Sequence, residues 1–348
     1  MAARLIRCTG LWGTNDRIAD DPPRRRLAEA VYRPWSIDPL WGLFAEGRRI
    51  GDGLPDPSPR AAETVHEGPF LYIGPLVTHY GHFLVNTLPM LWPLLSWSGP
   101  RPRILCHMPG GRSVLDRLPF VAPILDGLGL GVADLVAFDE PVRVTEVVLP
   151  QPALREQAAV HDVFATLCRQ IGRPLWRDVA VDGARRPVYL SKTRLTSGVA
   201  CAVNEQAIVD ELDRRGVDIA FPETLSLAEQ VRLLSHRRIV MGTVGSAFHT
   251  VAFAAPGRRL VGLNWQPSLN ANFALIDACN AARARYYFPH GTAYEAQPGW
   301  ELAWSVADPR GVADALRRRA DWLARDEPDD EGVYADARRL ALRPFRRR

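Results

Sequence analysis

PVYLSKTRLTSGVACAVNEQAIVDELDRRGVDIAFPETLSLAEQVRLLSHRRIVMGTVGSAFHTVAFAAPGRRLVGL, residues 187–263, holds the pattern that decides the fold. Residues 187–191 (PVYLS) predict a strand. Asn204 is placed to cap a helix with the apolar stripe Ile208, Val209 and Leu212, and Gly216 sits where that helix ends. Residues 217–221 give a second strand. Ser226 and Glu229 form a capping box ahead of Val231 and Leu234. Residues 238–241 give a third strand, 242–257 a glycine turn and a helix, and 258–263 a last strand. Strands alternating with amphipathic helices imply a parallel sheet covered on both faces. Such sheets take ligands at the carboxyl ends of their strands.

Working outward, the first half alternates in the same way. Residues 70–73 (FLYI), 103–107 (RILCH), 135–138 and 146–149 read as strands. Residues 78–95 (THYGHFLVNTLPMLWPLL) carry apolar positions near helical spacing, interrupted by Pro89 and Pro93, which predicts a kinked or broken helix. Ser113 is expected to cap a helix through Leu118, and a further helix is expected at 161–171. The stretch 173–187 reads as a connection. The expected fold class is therefore α/β, with two Rossmann-like sheets facing across a cleft. The expected divisions are 1–180, 181–300, and a helix with a basic tail at 301–348. Residues 272–284 read as helix, 286–306 as loop with one short strand, and 308–325 as a surface helix that could cross back to the first domain. Residues 1–66 carry loop compositions, with Trp12, Trp35 and Trp41 suggesting packing on the body.

Composition excludes several classes. The chain has 348 residues, 47% of them hydrophobic, and a formal net charge of +4. That charge, without a recognition motif, argues against a nucleic-acid binder. No apolar run reaches the roughly 18 residues needed to span a bilayer, and residues 1–17 lack the apolar core of a signal peptide. The expectation is a cytoplasmic protein. Arg346, Arg347 and Arg348 close a basic tail that could touch an anionic membrane face. Five cysteines without CxxC spacing give neither a zinc site nor a disulfide framework.

Four groups of residues fall where a strand ends or a helix begins. His79 and His82 crowd the start of an apolar helix, as a general base facing a cleft would; two structural histidines, or a shared metal, are the other readings. Lys192 and Arg194 follow the first strand, where cations can neutralise a diphosphate. Glu223 follows the second strand and can accept from a ribose diol. Gly242, Gly245 and Ser246 form a turn at a helix start, which suits phosphate, and His249 lies one turn on. Each group alone has an ordinary structural reading. Together they match a transferase that uses a nucleotide-diphosphate sugar.

The pieces THYGHFLVNTLPMLW (78–92), VYLSKTRL (188–195) and PETLSLAEQVRLLSHRRIVMGTVGSAFHTVAFAAPG (222–257) resemble glycosyltransferase family 61. The resemblance implies a GT-B fold, inversion at the anomeric carbon and no essential metal or other cofactor. Relatives transfer xylose or N-acetylglucosamine, and bacterial members are linked to capsular and other surface polysaccharides. It implies a nucleotide sugar and a glycan or lipid-linked acceptor as partners, and no nucleic acid. At one point the sequence departs from the family: the position after HF-x-x is usually acidic there, and here it is Asn86. His82 or His79 then carries the base role, and loss of turnover is expected for Arg194→Ala. The alternative reading is a catalytically impaired nucleotide-sugar- or glycan-binding protein. A sugar-nucleotide epimerase is the third.

Overall fold

The computed structural model describes residues 4–37, 40–57 and 62–325. The basic tail at 346–348 lies outside the described residues. The chain is a mixed α/β protein organised on two principal sheets.

The second sheet explains the rest. Its parallel strands run in the order Asp218–Ala220, Val188–Leu190, Val240–Thr243, Arg259–Leu263, Arg283–Pro289. In chain order this is 2-1-3-4-5, the doubly wound order of flavodoxin-like sheets, and its switch point falls between Val188–Leu190 and Val240–Thr243. Leu5–Arg7 closes the far edge, antiparallel to Arg283–Pro289. These strands are nearly all apolar because both faces are covered.

The first sheet is mixed. Leu135–Val136, Arg103–His107, Phe70–Pro75 and Val142–Pro150 pair in parallel. Arg24–Arg33, Gly42–Ala45 and Arg48–Arg49 continue it antiparallel. The N-terminal segment thus serves both sheets, and on the way Gly10–Trp12 pairs with Ser268–Asn270.

Helices between the sheets share one apolar core. It runs from Leu71, Phe83 and Leu88 through Phe164, Leu167 and Ile171 to Val231, Val251, Phe253 and Tyr286. The central element is Asp162–Trp176, whose buried Phe164, Leu167, Cys168 and Ile171 form one helical stripe. It packs against Leu227–His236 and Ser246–Phe253. A Cβ at Gly172 would fall 1.9 Å from the Phe253 carbonyl oxygen, so the two backbones touch there.

The capping box at Ser226 and Glu229 is present. The segment after Val77 is a broken helix: one α turn (Tyr80–His82), a π segment (Phe83–Thr87) and a 3-10 segment (Leu88–Ser96) that holds Pro93. Other expectations need correction. Gly198–Ala202 is a strand inside the stretch read first, paired with Trp300–Ser305. Asn204 begins the helix, but its side chain bonds the Val306 backbone instead of capping. Ser113 lies inside a 3-10 turn (Arg112–Arg117) set by the left-handed Gly110 and Gly111. The helix at 161–171 continues to Trp176, taking Pro174 into its last turn. Ala271–Asn280 stops early because the Asn280 amide turns inward to the carbonyls of Val251, Ala254 and Ala255. Residues 286–306 are mostly strand: the end of Arg283–Pro289, then Ala293–Glu295 and Trp300–Ser305. The helix Pro309–Ala324, capped by Asp308, packs on Glu205–Arg214 and the second sheet.

Gly172→Ala tests the backbone contact. Helix propensity alone would favour Ala by about 1 kcal/mol, whereas overpacking costs about 1–3 kcal/mol. The second effect should win, and chemical denaturation should show a less stable variant. A more stable one would mean that the contact yields freely.

Candidate functional site

A cavity of about 700 Å³ opens at the switch point, where residues of both halves of the chain meet. The floor is the carboxyl end of Val188–Leu190 and Val240–Thr243, with Lys192 after the first strand and Gly245 after the second. Across it stands the broken helix with His79, Tyr80, Gly81 and His82. The approach is close: a Cβ at Gly81 would lie 2.9 Å from the Ser246 Cβ. Tyr80 is half-buried there and donates to Thr250 Oγ1 at 2.8 Å, and Thr250 donates in turn to Gln230 Oε1 at 3.3 Å.

Lys192 is the chemical centre of the floor. It is the sole lysine among 43 lysines and arginines. Its Nζ donates to Val244 O at 2.6 Å and Ala200 O at 3.1 Å. A Cβ on Gly245 would come within 2.6 Å of both Cε and Nζ. The glycine is therefore required by the ammonium that lies over it. A compact ammonium fits this slot, and a planar guanidinium with a longer reach does not. Burial brings the lysine down to about 8, opposed by the charge of Glu205. Glu205 is itself buried and accepts from Tyr189 Oη at 2.9 Å and Thr243 Oγ1 at 2.7 Å. Burial raises its carboxyl while those hydrogen bonds hold it down. A carboxylate under the strand ends thus supports a desolvated cation above them.

The facing wall is a polar cluster. His79 Nδ1 faces the His82 backbone N at 3.5 Å, and burial lowers His79 below its ordinary value, with His82 adding to the effect. His82 Nδ1 lies 3.5 Å from Glu156 Oε1. Asn86 Nδ2 donates to Glu156 Oε2 at 3.0 Å. Behind them His249 is buried against Phe273, ring centroids 4.5 Å apart. Its Nδ1 has no partner among the described residues. Burial, then His82 and His79, bring it down to about 4, so it is neutral at pH 7.

The structure brings His79, His82, Lys192, Glu223, Gly245, Ser246 and His249 to one cavity. Three expected residues lie elsewhere. Gly242 is inside the strand Val240–Thr243, where a Cβ would meet Leu190 O at 2.8 Å and the Phe248 ring at 3.0 Å, so its role is packing. Arg194 is outside the cavity lining and stacks 3.6 Å over the Phe221 ring. Asn86 stands behind Glu156. The helix that opens at Ser246 is a 3-10 helix of 8 residues, and its first N–H groups have no partners within the helix. No group of three His, Cys, Asp or Glu side chains among the described residues could hold a metal ion.

Sequence reasoning missed Glu156, Glu205, Asn272 and the aromatic rim of Trp12, Trp265 and Trp300. Glu156 and Glu205 are marked by partners far along the chain, Asn272 and Thr243, and by no local spacing.

The doubly wound sheet thus carries a desolvated cation and a glycine turn at its switch point. The particular family follows: the family model of glycosyltransferase 61 matches residues 80–261, so the chain belongs to that family of glycosyltransferases. The match begins on the broken helix and ends inside the strand Arg259–Leu263, so it covers both walls of the cavity. No curated protein matches the chain.

Two outcomes check the lysine slot. Lys192→Arg should lower the melting temperature, because the guanidinium must displace Val244 or Gly245. The lysine's folded value of about 8 lies below the ordinary 10.5. Between them the unfolded chain binds the extra proton, so stability rises with pH across that window. Unfolding free energies at pH 7.5 and 10 should show wild type gaining on Lys192→Met. Parallel curves would refute the burial of the charge.

Proposed function

We propose that the protein is an inverting glycosyltransferase of the GT-B type that moves a hexose or pentose from a nucleotide-diphosphate sugar to a hydroxyl acceptor. What supports this reading is the position of Lys192, in a family 61 chain, at the switch point and opposite His82 across one cavity. The diphosphate lies on the Lys192 ammonium and on the N–H groups that open at Ser246, where developing negative charge is stabilised as the sugar–phosphate bond breaks. Glu223, on the same side, accepts from a ribose or sugar hydroxyl. Arg194 holds Phe221, and with it the turn that carries Glu223, so its effect on turnover is indirect. His82 takes the proton of the acceptor hydroxyl, which attacks the face opposite the leaving diphosphate and inverts the carbon.

The acceptor is a growing glycan or lipid-linked sugar in surface polysaccharide synthesis, and the aromatic rim offers its rings flat apolar faces. We place the reaction in the cytoplasm, where nucleotide sugars are made. No helix among the described residues is long and apolar enough to cross a membrane.

Calorimetry against UDP, GDP, CDP and ADP is the test. One diphosphate should bind selectively, with affinity falling as pH rises from 7.5 through about 8 to 9.5, as the ammonium deprotonates. Lys192→Met should bind at least tenfold more weakly and show no such fall. Folded protein that binds none of the four would end the donor assignment. Binding without sugar transfer would favour the non-catalytic alternative.

A further inference from the structure

The geometry points to Glu156 as the positioning residue of the base, a carboxylate supplied from the turn 156–158 to the imidazole of His82. The proposal rests on the transferase reading above and deepens it.

Three side chains converge on this one carboxylate. Asn86 Nδ2 donates to Oε2 at 3.0 Å, Asn272 Nδ2 donates to Oε1 at 3.2 Å, and His82 Nδ1 lies 3.5 Å from Oε1. The last distance exceeds a formed N–H···O bond, as is common for catalytic pairs before substrate binds. An asparagine at 86 cannot accept a proton, but its amide can steer an acid that arrives from elsewhere in the chain.

The turn that delivers Glu156 is built for the purpose. It joins Leu154–Arg155 to Ala159–His161 and holds Gln157 at φ 54, a left-handed conformation that L side chains rarely adopt. Buried Asn272 clamps it, accepting from the Gln157 backbone N at 2.6 Å while donating to Glu156. Its own backbone N is held by the Asn270 cap at 2.9 Å. A strained turn held from a second element is the pattern of a functional site.

Glu156 as a carboxylate only accepts, so it fixes the His82 proton on Nδ1 and leaves Nε2 as the free lone pair. In the reaction the acceptor O–H proton passes to Nε2. The new bond forms between acceptor oxygen and anomeric carbon, and the sugar–phosphate bond leaves with its electron pair on the diphosphate. Glu156 stays ionised and stabilises the imidazolium, so it acts through His82 and does not touch the substrate.

The test is Glu156→Gln, which keeps the volume and one amide contact: the Gln Oε1 accepts from Asn272, and Asn86 must turn its amide to accept from the new Nε2. The ¹⁵N shifts of His82, assigned among 8 histidines by comparison with His82→Gln, read which ring nitrogen carries the proton without any substrate. Wild type should show the Nδ1–H form, and Glu156→Gln a mixture. With donor and acceptor, kcat should fall about 100-fold, KM change less than threefold, and melting temperature stay within about two degrees. Adding Asn86→Asp to Glu156→Gln exchanges acid and amide across the same 3.0 Å contact, and should recover at least tenfold in kcat. Unchanged tautomer and kcat in Glu156→Gln would overturn the assignment, as would an exchange that recovers nothing. A wild type that transfers no sugar would end the transferase reading alone: the tautomer result would still decide the pairing.

Discussion

Everything at the cavity depends on how closely two stretches of backbone approach between the sheets. Gly172 lies against the Phe253 carbonyl with no room for a methyl group, and a Cβ at Gly81 would lie 2.9 Å from the Ser246 side chain. These two contacts hold the elements around Asp162–Trp176 and Ser246–Phe253 in one apolar core. The carboxyl ends of the second sheet consequently face the start of the broken helix. The Tyr80, Thr250 and Gln230 hydroxyl–amide chain fixes the same approach in rotation, because a buried hydroxyl left without its partner would cost about 1–3 kcal/mol.

On that frame the charges are arranged asymmetrically. The floor has a cation desolvated above a buried carboxylate. The opposite wall has His79, made less basic by burial, and His82 beside one carboxylate. Arginine carries the ion pairs elsewhere, as in the buried Arg258 that bridges Asp182 and the Ser235 carbonyl. Its planar fork suits such pairs, whereas the slot over Gly245 admits only a small head group.

Much of this was legible in the sequence where a local rule decides the outcome. The SLAE capping box, the prolines that break the helix after Val77, and the strand ends carrying Lys192 and Glu223 all follow from spacing. What stayed hidden depends on partners far along the chain. Arg24–Arg33 (RRRLAEAVYR) shows little alternation and is a strand because Val142–Pro150 pairs with it. Residues 286–306 lack a strand signature and are drawn into sheets by Arg259–Leu263 and Gly198–Ala202. Glu156 sits in a turn between strands of two and three residues, too short for any periodicity, and its significance rests on Asn272, 116 positions away. Gly242 misled because a glycine needed for packing and one needed for a ligand look alike in sequence.

The single lysine has a consequence for chemistry done on the protein from outside. A chain with 43 basic residues and one ε-amine offers acylating and aldehyde reagents almost nothing on its surface. The one such amine it does carry lines the cavity and loses its proton near pH 8, which makes it nucleophilic under mild conditions. Covalent capture of an ε-amine on this molecule is therefore addressed to the cavity floor by composition alone, and any occupant resting on Lys192 would shield it.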